Sequence, residues 1–179
     1  MSVWINASSR RRRILLFTVV FCAALAATII GMAIPVSQER AKQVSNELNQ
    51  TIDTLKTNNA VVQYIFGNNL MICLLMFIPV IGPVVGFYAL FNTGATISAI
   101  AVSQGIHPAL ALAALFITPV AWLEYGSYSI AMAESIWLLH RSLNKKGRSE
   151  LRNTSVLIAL CTVVLLVSAI IETAILYLT

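Results

Sequence analysis

Residues 105–124 read GIHPALALAALFITPVAWLE, an apolar run of eleven residues (108–118) bounded by Pro108 and Pro119. As a helix this run reaches about 17 Å, too short for a hydrocarbon core of about 30 Å. Whether it crosses a bilayer sets the sidedness of everything downstream. Around it, residues 60–141 are almost continuously apolar, interrupted at Pro79, Pro83, Gly105-Ile106-His107-Pro108 and Pro119. These interruptions predict spans at 61–78, 84–104 and 120–141, and a further span follows at 155–177. Upstream, residues 14–36 are 23 uncharged residues, enough to cross. Arg10 to Arg13 and Gly31-Met32-Ala33 resemble the n-region and cleavage site of a signal peptide. The run exceeds an h-region of about 7–15 residues, so it reads as a retained anchor.

Charge placement decides the short run. Nine of the twelve Lys and Arg lie either at Arg10 to Arg13 or among Arg141, Lys145, Lys146, Arg148 and Arg152. Positive residues favour the cytoplasmic side, so an even number of crossings must separate the two groups. Spans 14–36, 61–78, 84–104 and 120–141 supply four. Residues 108–118 then form a re-entrant half-helix, which is tolerated where protein shields it. The expected fold is an all-α integral membrane protein with about five transmembrane helices, this half-helix and one external amphipathic helix. Residues 1–13 form a basic cytoplasmic tail, 60–142 the membrane core and 143–153 a basic cytoplasmic loop. The last helix, 154–179, ends outside the cell membrane.

Composition agrees. Of 179 residues, 58% are hydrophobic and 11% charged, against about 25% charged in a soluble domain. A water-soluble domain of this size cannot hide so much hydrocarbon. A soluble enzyme, a nucleic-acid-binding domain and a disordered tail are excluded, and the net charge of +5 reads as a topology signal. Cys22, Cys73 and Cys161 sit in apolar runs without CxxC spacing and read as small buried hydrophobes.

The one long polar segment, SQERAKQVSNELNQTIDTLKTNN (37–59), balances Arg40, Lys42 and Lys56 against Glu39, Glu47 and Asp53. Ala41, Val44, Leu48, Ile52 and Leu55 recur at three- and four-residue spacing, a narrow stripe on a helix of about 30 Å. Such a stripe lies on the protein's own outer face or at headgroup level. Alternatively it docks another subunit, with Val44, Leu48, Ile52 and Leu55 as the contact. Asn49-Gln50-Thr51 is a glycosylation triplet, a pattern that chance produces often.

Ionisable residues inside a membrane are functional candidates by default. Three of the seven acids are there: Glu124, Glu134 and Glu172. Glu124, Ser127, Ala131 and Glu134 follow 3-4-3 spacing and share a helical face with Tyr128 close by. Asn68, Asn69 and Asn92 add amides, and no Lys or Arg lies within the spans. One reading is a protonated or hydrogen-bonded carboxyl that ties helices together, with Asn and Tyr as partners. Another is a small proton- or cation-linked transporter or channel built on Glu124 and Glu134 beside proline-interrupted segments. Catalysis finds no support: His107 and His140 lie at opposite ends of the membrane, and no HxxxH, HExxH or GxSxG spacing exists. No metal or cofactor is expected. Gly82-x-x-x-Gly86 flanks Pro83 and reads as a tight turn between spans rather than a dimer face.

Several short motifs together resemble the stage II sporulation protein M family of bacterial and archaeal membrane proteins. Ile65-Phe66-Gly67-Asn68-Asn69 is similar to the family's Phe-x-x-Asn-Asn, with Ile65 in place of Phe. Asn92-Thr93-Gly94 resembles its Asn- and Gly-rich stretch. Pro119-Val120-Ala121-Trp122-Leu123-Glu124 falls where many members have Pro-His-Gly-x-x-Glu. Ala169-Ile170-Ile171-Glu172 is similar to the closing Ala-x-Ile-Glu. Val120 replaces the histidine, so chemistry depending on that residue is absent. The resemblance implies a non-enzymatic membrane component, the bacterial namesake being a scaffold in the forespore engulfment complex. The expected function is a non-catalytic scaffold or accessory subunit whose partners are other membrane subunits and the lipid bilayer, without nucleic acid. An ammonia-monooxygenase-type assembly is one host that could use such a subunit, although no residue points to it.

Overall fold

Among the described residues, prolines and short polar stretches cut the apolar chain into seven helices. The computed structural model describes residues 9–143 and 150–178. Residues 1–8 of the expected tail, 144–149 of the basic loop with Lys145, Lys146 and Arg148, and Thr179 lie outside the described residues. The helices are α1 (Ser9–Met32), α2 (Gln38–Thr57), α3 (Val61–Met76), α4 (Ile81–Ser103), α5 (Pro108–Ile117), α6 (Pro119–Leu143) and α7 (Leu151–Leu178). No strand occurs among the described residues.

Local chemistry explains the boundaries. The Oγ of Ser37 accepts from the Arg40 N–H at 3.3 Å and caps α2. His107 caps α5 by accepting from the Ala109 N–H through Nδ1 at 3.2 Å, and Pro108 occupies the first turn. Pro83, expected to bound a span, instead lies within the first turn of α4, where no intrahelical N–H bond is required. Before it, Val80 has φ +72°, and the Ile81 N–H donates to the Pro79 carbonyl at 2.9 Å. That pairing is a γ-turn with a strained β-branched residue at its centre. The Ile78 carbonyl, which accepts from the Gly82 N–H at 2.7 Å, also accepts from the Ser135 hydroxyl at 2.7 Å and ties the α3–α4 turn to α6.

The most extensive contact joins α1 to α4, and α6 packs on α7. Glycine permits the first of these. A Cβ on Gly31 would run into the Phe91 carbonyl, and one on Gly94 into the Thr28 carbonyl. Gly82 and Gly86, expected to mark a turn, lie on a buried face of α4 against the Met76 carbonyl and the Met132 side chain. The core gathers Val20, Ala24, Cys73, Met76, Leu90, Tyr125, Met132 and Leu165. Mainly large apolar side chains such as Ile14, Val19, Val84, Tyr88 and Val163 cover the outside, as in a protein whose solvent is lipid.

By length and apolarity, α1, α4 and α7 can each cross a bilayer, and α5 with α6 forms a fourth candidate bent by 88° at its break. The 16-residue α3 reaches only about 24 Å. The break at Thr118 falls where the sequence places it, but α5 buries no residue.

Candidate functional site

The two ends of the bundle hold two different polar groupings. At the end away from the arginines, α3, α6 and α7 bring Asn69, Glu124 and Glu172 to one cavity of about 570 Å³, lined also by Asn68 and Thr96. The Asn68 amide donates to Asn69 Oδ1 at 3.4 Å, and the Asn69 amide donates to Glu124 Oε1 at 2.6 Å. This chain of donors runs in one direction and ends on the carboxyl group. Glu172, on α7, lines the same cavity. Ser168, one turn before Glu172, donates to the Val120 carbonyl at 3.5 Å and holds α7 against the start of α6.

The wall of this cavity is α2. Val44, Leu48, Ile52 and Leu55 all line it, so the stripe is turned toward the chain's own membrane core. Lys56 sits 5.6 Å from the Tyr177 ring centroid and pins the end of α2 to α7. Asn49 is exposed on α2 in mid-helix, and the Thr51 hydroxyl of its triplet donates to the Glu47 carbonyl at 2.8 Å.

A second cavity of about 530 Å³ adjoins the first and shares Asn68, Asn69, Thr96 and Glu124 with it. Asn92, Tyr88 and Tyr128 line this side. Asn92 donates back to the Tyr88 carbonyl of its own helix at 2.8 Å, so it borders the recess without bonding to the glutamates. Beneath it, the Tyr125 and Thr28 hydroxyls pair at 2.7 Å and tie α6 to α1. Among the described residues that line either cavity there is no Lys, Arg or His.

Glu134 belongs elsewhere, which corrects the expected single network. Ten residues along α6 from Glu124, it is displaced by about 15 Å along the axis despite sharing a face. Arg13 Nη1 donates to its Oε2 at 2.8 Å and Thr154 Oγ1 to its Oε1 at 2.8 Å. The expectation that no cation meets an intramembrane glutamate fails here. Arg13, expected in the tail, lies within α1 and reaches inward to Glu134 and Glu150. Its other Nη donates to Glu150, which also accepts from Arg141 Nε at 2.8 Å and from Asn153 at 3.3 Å. Burial pushes the Glu150 carboxyl up, but Asn153 and the two guanidinium groups outweigh it and hold the group below its ordinary value. The Trp137 ring lies 5.0 Å from the Arg13 guanidinium and 6.0 Å from that of Arg141. Arg13, Glu150 and Thr96 were not singled out by the sequence. The available signal for Arg13 was its place as the last arginine before the apolar run.

No curated protein and no solved structure gives a significant match. The family model described as Stage II sporulation protein M matches residues 14–175, nearly the whole chain, and the chain therefore belongs to this family of membrane proteins.

Proposed function

We propose that the chain is a non-catalytic, five-span protein of the cell membrane whose working part is the recess under α2, and that this recess takes up a small cationic solute of the ammonium type. One observation carries the reading. The polar positions that give the chain its family resemblance, Asn68, Asn69, Asn92, Glu124 and Glu172, all line the two adjoining cavities. Glu124, Glu172 and nearby carboxamides present acceptor oxygens, Glu47 of α2 adds a third carboxyl group to the lining, and no lining cation competes for them. An ammonium group donates hydrogen bonds and supplies the charge such a set balances. In this role Glu124 contacts the solute, Glu172 supplies the counter-charge, and Asn69 orients Glu124. Glu134 leaves the transport set because both its oxygens are taken. In this reading the arginine end faces the cytoplasm, which the clustering of positive residues in the sequence favours, and the recess opens toward the outside.

The test is uptake of methylammonium by liposomes carrying the full chain. The expected result is saturable uptake that Glu124→Gln abolishes while the thermal midpoint stays unchanged. Absence of saturable uptake in the wild type contradicts the transport part of the reading.

A second reading, an accessory or scaffold subunit of a larger membrane complex, is favoured by α5. This helix is apolar throughout and too short to cross; Phe116 packs on Trp122 and Tyr125, while its other side is open, with Ile117 84% exposed. A half-helix with open backbone ends is tolerated at membrane depth where protein shields it, which favours α5 over α2 as the docking face. Native mass after gentle detergent extraction separates the readings. Unlike subunits that leave on Leu110→Asp support the scaffold, and a chain found alone supports the solute site.

A further inference from the structure

At the arginine end, α1, α6 and α7 enclose a narrow groove of about 220 Å³. Leu16, Phe17, Ile130, Ala133 and Leu157 form its walls, while Arg13 and Glu134 stand in its lining as the ionic groups. A slot with hydrocarbon walls and a charged border suits an amphiphile. The sign of that border is positive. Arg10 lies one helical turn before Arg13 and Ile14 on the same face and is exposed. Arg10, Arg11, Arg12, Arg13, Arg141 and Arg152 gather at this end against Glu134 and Glu150. Both carboxylates are already engaged by Arg13, Arg141, Thr154 and Asn153. Arg13 spends one N–H on each glutamate, and a guanidinium has five.

We propose that this groove holds an acyl chain of an anionic phospholipid, with its phosphate set against Arg10 and Arg13. The apolar walls select a lipid over a free phosphate, and the arginines select an anionic headgroup over a zwitterionic one. The lipid would fill the seam between three helices and extend the Arg13 network to the bilayer. This site is independent of the recess at the other end.

The experiment titrates the purified full chain with dioleoyl phosphatidylglycerol and, separately, dioleoyl phosphatidylcholine, counting retained lipids by native mass. The wild type should retain phosphatidylglycerol preferentially, and inorganic phosphate should not displace it. Arg10→Gln should reduce that preference about fivefold, the effect of one arginine near an anionic surface. Ala133→Phe fills the slot with every arginine in place and should lower phosphatidylglycerol retention. Because Ala133 packs in the core, the exposed Arg10→Gln decides the question alone if the former variant does not fold. Equal retention of the two lipids by the wild type, displacement by phosphate, or an unchanged preference in Arg10→Gln would overturn the proposal.

Discussion

Arg13 and Glu134 show how a single side chain changes the meaning of an intramembrane acid. The Glu134 side chain is 3% exposed, and its charge is tolerable because Arg13 and Thr154 satisfy both oxygens. Arg13→Ala leaves that carboxyl group with one partner and should cost about 3–5 kcal/mol, read as a lower midpoint in detergent unfolding. Adding Glu134→Gln should recover part of the loss. Glu150 predicts the pH response of the same cluster. Its carboxyl is held below the ordinary value by Asn153, Arg13 and Arg141, so the stability it contributes is present above the ordinary glutamate pKa of about 4.3. That contribution disappears as pH falls through the lower folded value. The midpoint should therefore show no Glu150-dependent change from pH 7 to about pH 5 and fall below that range. Glu150→Gln should remove this acid-limb contribution and lower the neutral plateau. The sequence made the three glutamates legible as candidates but could not show which had a cation. Helical spacing reports a shared face and is silent about which neighbouring helix end reaches it.

Among the elements, the α1–α4 contact is the most demanding. Gly31 and Gly94 bring backbone against backbone, and a carbonyl in a helix cannot swing aside as a side chain can. Gly94→Leu should destabilise by about 3 kcal/mol, the upper part of the range for overpacking, seen as a lowered midpoint and poor recovery from detergent. Gly67 has nothing within 4 Å of an added Cβ, so Gly67→Ala should be neutral or gain up to about 1 kcal/mol of helix propensity. Element positions were largely legible because apolar runs and prolines carry them. Pro108 and Pro119 each open a helix. Pro83 misled because a proline in a first turn looks in sequence like one that ends a helix. The stripe on α2 was legible as a helix face, but three- and four-residue spacing does not say whose surface receives it. The chain's own recess does.

Over the whole molecule, the polarity is divided between two ends. An arginine–glutamate–tryptophan cluster closes one end of α1, α6 and α7, and an amide–carboxyl recess lies under α2 at the other. The recess was only partly visible beforehand. Asn68, Asn69, Glu124 and Glu172 could be named from the sequence, whereas their convergence depends on α3, α6 and α7 meeting at one level. Thr96 enters through α4 packing alone. Equilibrium binding of methylammonium to the full chain in nanodiscs tests the central claim most directly, with wild type, Glu124→Gln, Glu172→Gln and Glu134→Gln compared at pH 7. The account predicts saturable binding in the wild type and in Glu134→Gln, and its loss in Glu124→Gln and Glu172→Gln with the fold retained. Binding that survives Glu124→Gln, or no saturable binding in the wild type, would contradict it.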